Sequence, residues 1–204
     1  MASLIVRAKT IITCDTQAPQ CGIDFDALGR IDGGAMLVED GVIKAIGSPA
    51  ACRASTSLSM TSSSSELDFS NHVVFPGFVD AHAHPLFAGD REPDFAARLR
   101  GEPPPQGMRY TIERTREALL DPGAFYENTL RPRLRAMLAH GTTTLETKTG
   151  YALHRPGEMA LLDIVAGHRG DPDVPRLVAT FLGAHALPPE FAFEREDGFI
   201  DYLI

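Results

Sequence analysis

Beyond residue 70 the chain is governed by three apolar runs, each closing on a polar cluster. Phe78-Val79 leads into Asp80-Ala81-His82-Ala83-His84. TTTL leads into Glu146-Thr147-Lys148-Thr149-Gly150-Tyr151, and RLVATFL leads into Gly183-Ala184-His185. Helical patterning separates the runs. Asp121-Pro122 suits an N-cap followed by proline at the first helical position. Tyr126, Leu130, Leu134 and Leu138 recur every four residues on one face, Pro132 within that stretch predicts a kink, and Gly141 ends it. Met159 to His168 reads as a second helix. The alternation of strand and helix predicts an α/β fold built on a parallel sheet with crossover helices. In a parallel α/β barrel, functional residues collect at the C-terminal ends of the strands, and repeated polar tips are what that geometry requires.

The residues before this region read differently. Leu4, Val6 and Ala8 alternate with polar neighbours, so MASLIVRAKTIITCD is a first strand rather than a signal peptide. Ala35 to Val38 and Val42 to Gly47 flank Asp40-Gly41, a strong hairpin signal. The serine-rich stretch from Ser55 to Glu66 has no periodicity and reads as a mobile surface loop. It divides the chain into a small all-β module, 1–67, and a second part, 68–204. There is no internal repeat, and no apolar run is long enough to span a bilayer. With 44% hydrophobic residues the 204-residue chain is globular, and its net charge of -8 argues against nucleic acid and anionic membrane surfaces as partners. Three scattered cysteines, Cys14, Cys21 and Cys52, fit a reducing cytoplasm rather than a disulfide framework.

His82 and His84 carry the sharpest chemical signal. Residues i and i+2 of a strand point the same way, so both imidazoles can reach one ion, and imidazole suits zinc or ferrous iron. A His-x-His can also be a satisfied polar pair; the preceding buried strand and Pro76-Gly77 bend favour the metal. Arg91 could clamp a carboxylate, or stand as a solvated surface arginine. Tyr151 and His185 are either hydrogen-bond donors to a polar substrate or structural groups. Glu146 and Lys148 share one strand face and are expected to pair with each other. His140 at a helix C-terminus is a favourable dipole contact. His72, His154 and His168 read as surface or structural.

FPGFVDAHAHPLFAGDRE, MLAHGTTTLETKTGYAL and VATFLGAHALPPE closely resemble segments of the imidazolonepropionase family, within the amidohydrolase superfamily, and GAMLVEDGVIKAIG is similar more loosely. The resemblance spans nearly the whole chain. It implies a distorted (β/α)8 barrel, of which this chain supplies the first part, with a small β-sandwich module. It implies one metal ion per site, zinc or iron (ferrous or ferric), with His82 and His84 as ligands. It implies substrate contacts from Arg91, Tyr151 and His185, with His185 also catalytic. The implied reaction is hydrolysis of 4-imidazolone-5-propanoate to N-formimino-L-glutamate, a step of histidine degradation. The sequence departs from the family at GEPPPQGMRYTIERTREA, where a longer glycine-containing pocket segment is expected. A barrel of this type takes roughly 250 residues, and the family's later histidine and aspartate ligands have no position here. The chain is therefore expected to be a truncated, aggregation-prone half-barrel that self-associates or docks with a complementary chain. Two alternatives stand beside this reading: another amidohydrolase, such as a deaminase or different cyclic amidase, and a non-catalytic protein that binds a partner.

Overall fold

The computed structural model describes residues 3–15, 28–56, 65–191 and 196–203; Cys21 and the centre of the serine-rich stretch lie outside them. The chain divides into two compact units, Met1–Pro76 and Gly77–Ile204.

The first unit is a five-stranded sheet arranged about one long strand. That strand, β1 (Ser3–Ile12), runs antiparallel to β2 (Arg30–Asp32) and β3 (Ala35–Glu39). It runs parallel to β5 (Ser65–Val74), from Leu4 opposite Ser65 to Ile11 opposite Val74. β3 continues into β4 (Val42–Gly47) through Asp40-Gly41, with φ of +50° and +78°. Two left-handed residues in succession match the twist of a tight hairpin, and Asp-Gly tolerates them best. Ser48 caps α1 (Pro49–Ala54) by accepting from the Ala51 N–H at 3.2 Å. This helix buries Cys52 against Ile5, Ala35 and Leu37.

One boundary differs from the expectation. The first unit extends to Pro76 instead of ending at Leu67, because LDFSNHVV belongs to β5 of the first sheet. The Pro76-Gly77 bend lies between β5 and the next strand and so marks the division. The strands of this unit form a single sheet layer among the described residues. Val42, Ile43, Ile46, Leu67, Phe69 and Val73 are exposed on β4 and β5, so much apolar surface of this layer lies open.

The second unit contains the parallel sheet read from the sequence. Its strands are β6 (Phe78–Ala83), β7 (Thr142–Lys148) and β8 (Arg176–Thr180), in the order β6-β7-β8. Between β6 and β7 come α2 (Glu92–Leu99), α3 (Gly107–Ala118), α4 (Pro122–Phe125), a π-turn (Tyr126–Leu130) and α5 (Arg131–Ala139). α6 (Arg155–Gly167) links β7 to β8. Asp121 caps α4, accepting from the Ala124 N–H at 2.9 Å. Pro132 lacks the N–H that would bond one turn back, and the backbone widens into the π-turn just before it. Tyr126, Leu130 and Leu134 are buried, whereas Leu138 is half-buried. With Leu161, Ile164 and Val165 of α6 they cover Leu145 of β7 and Leu177 of β8, forming the core. α2 and α3 had no clear sequence signal; α3 buries Thr111, Ile112 and Thr115, a face with only one aliphatic residue. Among the described residues, no helix is long and apolar enough to cross a membrane.

Leu145 is fully buried on the central strand, so its contribution is measurable. We expect Leu145→Ala to cost about 2–5 kcal/mol and Leu145→Met less than about 1.5 kcal/mol. Both are read from the denaturant midpoint at constant slope. An alanine variant as stable as the wild type would contradict this packing.

Candidate metal and substrate site

Alternation along the strands sorts the parallel sheet into two faces. Leu145 and Leu177 belong to the helix-covered core, and Ala83 and Ala179 pack against it. Their neighbours His82, Glu146, Lys148 and Thr180 therefore stand on the opposite face, near the C-terminal ends. Glu146 ties the three strands together. Its carboxylate accepts from the Lys148 ammonium, and the Thr180 hydroxyl and the Ala83 N–H of the flanking strands act on it as further donors that lower its pKa. Burial pushes its pKa up, but these donors outweigh burial and hold it below the usual carboxylate range. The Glu146–Lys148 pair expected from the sequence is thus present.

The His-x-His pair sits beside this junction. His82 is exposed and His84 partly buried. Their Nε2 atoms are 3.3 Å apart. Two nitrogens at about 2.1 Å from one ion, at a near-tetrahedral angle, stand about 3.4 Å apart, so the spacing fits a shared cation. The His84 pKa lies below the ordinary histidine value, first because of burial, then because of His185, His82 and Lys148, with Glu146 opposing. A metal ligand must be neutral imidazole, which these surroundings favour. The buried Nδ1 of His84 has no hydrogen-bond partner among the described residues. No three His, Cys, Asp or Glu side chains among those residues gather closely enough to enclose an ion.

Tyr151 and His185 join the same cluster. The His84 ring lies 5.2 Å from His185 and 5.9 Å from Tyr151, and Tyr151 lies 5.2 Å from His185, centroid to centroid. Gly150 makes this convergence possible. At φ of +106°, a Cβ there would stand 2.4 Å from the Leu182 carbonyl oxygen and 2.6 Å from His185 Cβ. Burial raises the Tyr151 pKa, keeping the phenol a hydrogen-bond donor. The phenol also lines a cavity of about 460 Å³ with Phe87, Arg91, Thr111 and Arg133.

Arg91 reaches this cavity from the N-terminus of α2, where its Nε donates to Asp94 at 2.7 Å. Asp94 is buried and also accepts from the N–H groups of Gln106 and Gly107, at 2.8 and 3.0 Å. It therefore fastens Arg91 to the segment that departs from the family pattern. Burial pushes the Asp94 carboxyl up, but the hydrogen bonds from Gln106, Arg91 and Gly107 hold it below the usual range. Arg133 donates to the carbonyls of Pro85 and Phe87 and lies 4.1 Å above the Phe87 ring, bracing the loop that carries Arg91.

The structure thus brings His82, His84, Tyr151 and His185 together and places Arg91 on a cavity shared with Tyr151. Other histidines do local work elsewhere. His140 and His168 bond carbonyls at the ends of α5 and α6, His154 caps α6, and His72 contacts Phe69 edge-on. Sequence reading missed Asp94, Arg116, Arg133 and Glu158. Asp94 and Glu158 did leave a trace, as acidic residues in the first turn of a helix directly after a polar strand tip.

No family model matches the chain. Similarity to curated proteins is clear. An imidazolonepropionase of Halobacterium salinarum is 39% identical over 185 residues, covering 88% of this chain and 42% of its own. That of Parabacteroides distasonis is 36% identical over 211 residues, covering 98% and 48%. That of Mycolicibacterium smegmatis is 37% identical over 182 residues, covering 89% and 41%. The chain spans less than half the length of these relatives. Among solved structures, guanine deaminase from Bradyrhizobium japonicum matches with a TM-score of 0.57 at 18% identity, over 88% of this chain and 35% of its own. The fold is thus mixed α/β, of the kind found in that deaminase.

The lowered Asp94 pKa has a consequence for acid stability. A carboxyl depressed by folding stabilises the protein above its unfolded pKa of about 4, and that contribution is lost as pH falls from there toward the folded value. We expect the melting temperature to drop below pH 4 in the wild type and to drop less steeply in Asp94→Asn. Superimposable acid limbs would show that Asp94 holds nothing in place.

Proposed function

Starting from the similarity of this chain to imidazolonepropionases over most of its length, we propose that it forms the amino-terminal part of a metal-dependent hydrolase of cyclic amides. The reaction is hydrolysis of 4-imidazolone-5-propanoate to N-formimino-L-glutamate. In this reading the sheet of the second unit is the first portion of a (β/α)8 barrel. The open apolar faces of β4 and β5 mark where a second sheet layer of a sandwich packs. The observation that carries the reading is the 3.3 Å separation of the two imidazole nitrogens.

His82 and His84 hold one zinc or iron ion, with further ligands from outside the cluster. When bound, such an ion supplies Lewis acidity and an activated water for attack on the ring amide. The chain's own residues bind and orient. The Arg91 guanidinium, held at Nε by Asp94, presents its other nitrogens to the propanoate carboxylate. Tyr151, whose phenol burial makes harder still to ionise, donates to a polar ring atom. His185, in ring contact with both His84 and Tyr151, holds or transfers a proton at the ring as the C–N bond opens. The substrate is a small molecule, and the uncovered strand edges are surfaces for self-association or for a complementary polypeptide.

Metal content and substrate kinetics test this in the protein that carries the sequence. His82→Ala should abolish metal binding and turnover. Arg91→Ala should keep the metal and raise KM by roughly 10- to 100-fold, the effect of losing a charged hydrogen bond. Full metal content in the His82 variant would overturn the ligand assignment. An unchanged KM in the Arg91 variant would remove arginine from substrate binding.

A further inference from the structure

Tyr151 stands on the loop from Thr149 to His154, between β7 and α6, and this loop is strained. Gly150 takes φ of +106° and Leu153, a non-glycine residue, takes φ of +53°. A side chain in the left-handed region persists only where its surroundings fix it. Two charged groups do so here from opposite directions. Glu158, in the first turn of α6, is only 2% exposed. Its carboxylate accepts from the N–H groups of Gly150, Ala152 and Leu153, at 2.8, 2.9 and 2.9 Å. Arg116, on α3, donates to the carbonyls of Ala152 and Leu153, at 2.6 and 3.4 Å. The same guanidinium grips Glu190 through two contacts, at 3.2 and 2.7 Å, so it also ties in the segment following His185.

These bonds lie immediately on either side of Tyr151 and leave its phenol free to face His84, His185 and Phe87. Burying a carboxylate is costly unless hydrogen bonds compensate, and here three backbone donors are aimed at it. An apolar residue could fill the same volume but would leave those three N–H groups without acceptors, and glutamine, with one acceptor oxygen, cannot serve both oxygens' partners. The outcome is one loop conformation, and with it one direction for the phenol.

We propose that Glu158 is the positioning residue for Tyr151, setting through the loop backbone the direction in which the phenol meets the substrate, with Arg116 as the outer half of the same clamp. The inference rests on the proposed function, in which Tyr151 contacts substrate. Glu158 touches no substrate itself.

A double-mutant cycle between Glu158→Gln and Tyr151→Phe tests this on the metal-loaded protein, with 4-imidazolone-5-propanoate as substrate. Each single variant should lower kcat/KM by ~10- to 100-fold, the scale of a displaced positioning group. The double variant should be no worse than Tyr151→Phe alone, because Glu158 acts through Tyr151. Additive losses, or wild-type kinetics in Glu158→Gln, would overturn the proposal. Should Glu158→Gln fail to fold, Arg116→Gln loosens the same loop from its more exposed side, and the same cycle decides. A second readout does not depend on turnover. The Tyr151 ring resonances, assigned by their loss in Tyr151→Phe, should shift in the clamp variants while those of Tyr126 stay in place. A wild type without hydrolysis would defeat the functional reading alone. Unmoved Tyr151 resonances in a folded clamp variant would defeat the positioning claim alone.

Discussion

Parallel pairing of β6, β7 and β8 is the constraint from which the site follows. Parallel strands point their C-terminal ends the same way, so three polar tips far apart in sequence arrive at one edge of the sheet. Glu146 makes the junction visible. The pKa of a single carboxylate on the middle strand is lowered by Ala83 on one neighbour and by Thr180 on the other. Covering one face with Leu134, Leu161 and Val165 leaves the alternate residues for chemistry. Were the register of β7 to slip by one residue, Leu145 would face away from the helices and Glu146 into them.

The convergence also depends on how closely two loops can approach. Gly150 sits against the Leu182 carbonyl and the His185 side chain with no room for a Cβ. Thr149 adds to the contact, its hydroxyl accepting from the Leu182 N–H at 3.0 Å and its own N–H donating to the Thr180 carbonyl at 3.1 Å. Precision here comes from backbone contacts and buried carboxylates. Asp94 holds Arg91, Glu158 holds the Tyr151 loop, and both are almost fully buried. Neither contact adds apolar burial; each fixes an angle.

Much of this was legible in the sequence. Strand tips at Asp80–His84, Glu146–Tyr151 and His185 announced themselves through apolar runs broken by polar clusters. The Asp121 cap, the Pro132 disturbance, the Asp40-Gly41 hairpin and the Glu146–Lys148 pair follow from local rules and are all present. What escaped depends on tertiary partners. β5 has hardly any buried residue, so its strand character comes from pairing with β1 rather than from its own pattern. α3 buries threonines, which no apolar periodicity reveals. Asp94 and Glu158 look like ordinary acidic residues in a first helical turn until the loops they hold are seen.

Nitrogen NMR of the two histidines during a zinc titration tests the central claim most directly. If His82 and His84 share one ion, the Nε2 signals of both rings move together to coordinated values and complete the change at one equivalent. If either ring keeps the shifts of a free imidazole at saturating zinc, the two side chains are no more than a hydrogen-bonded pair, and the metal-centred account fails.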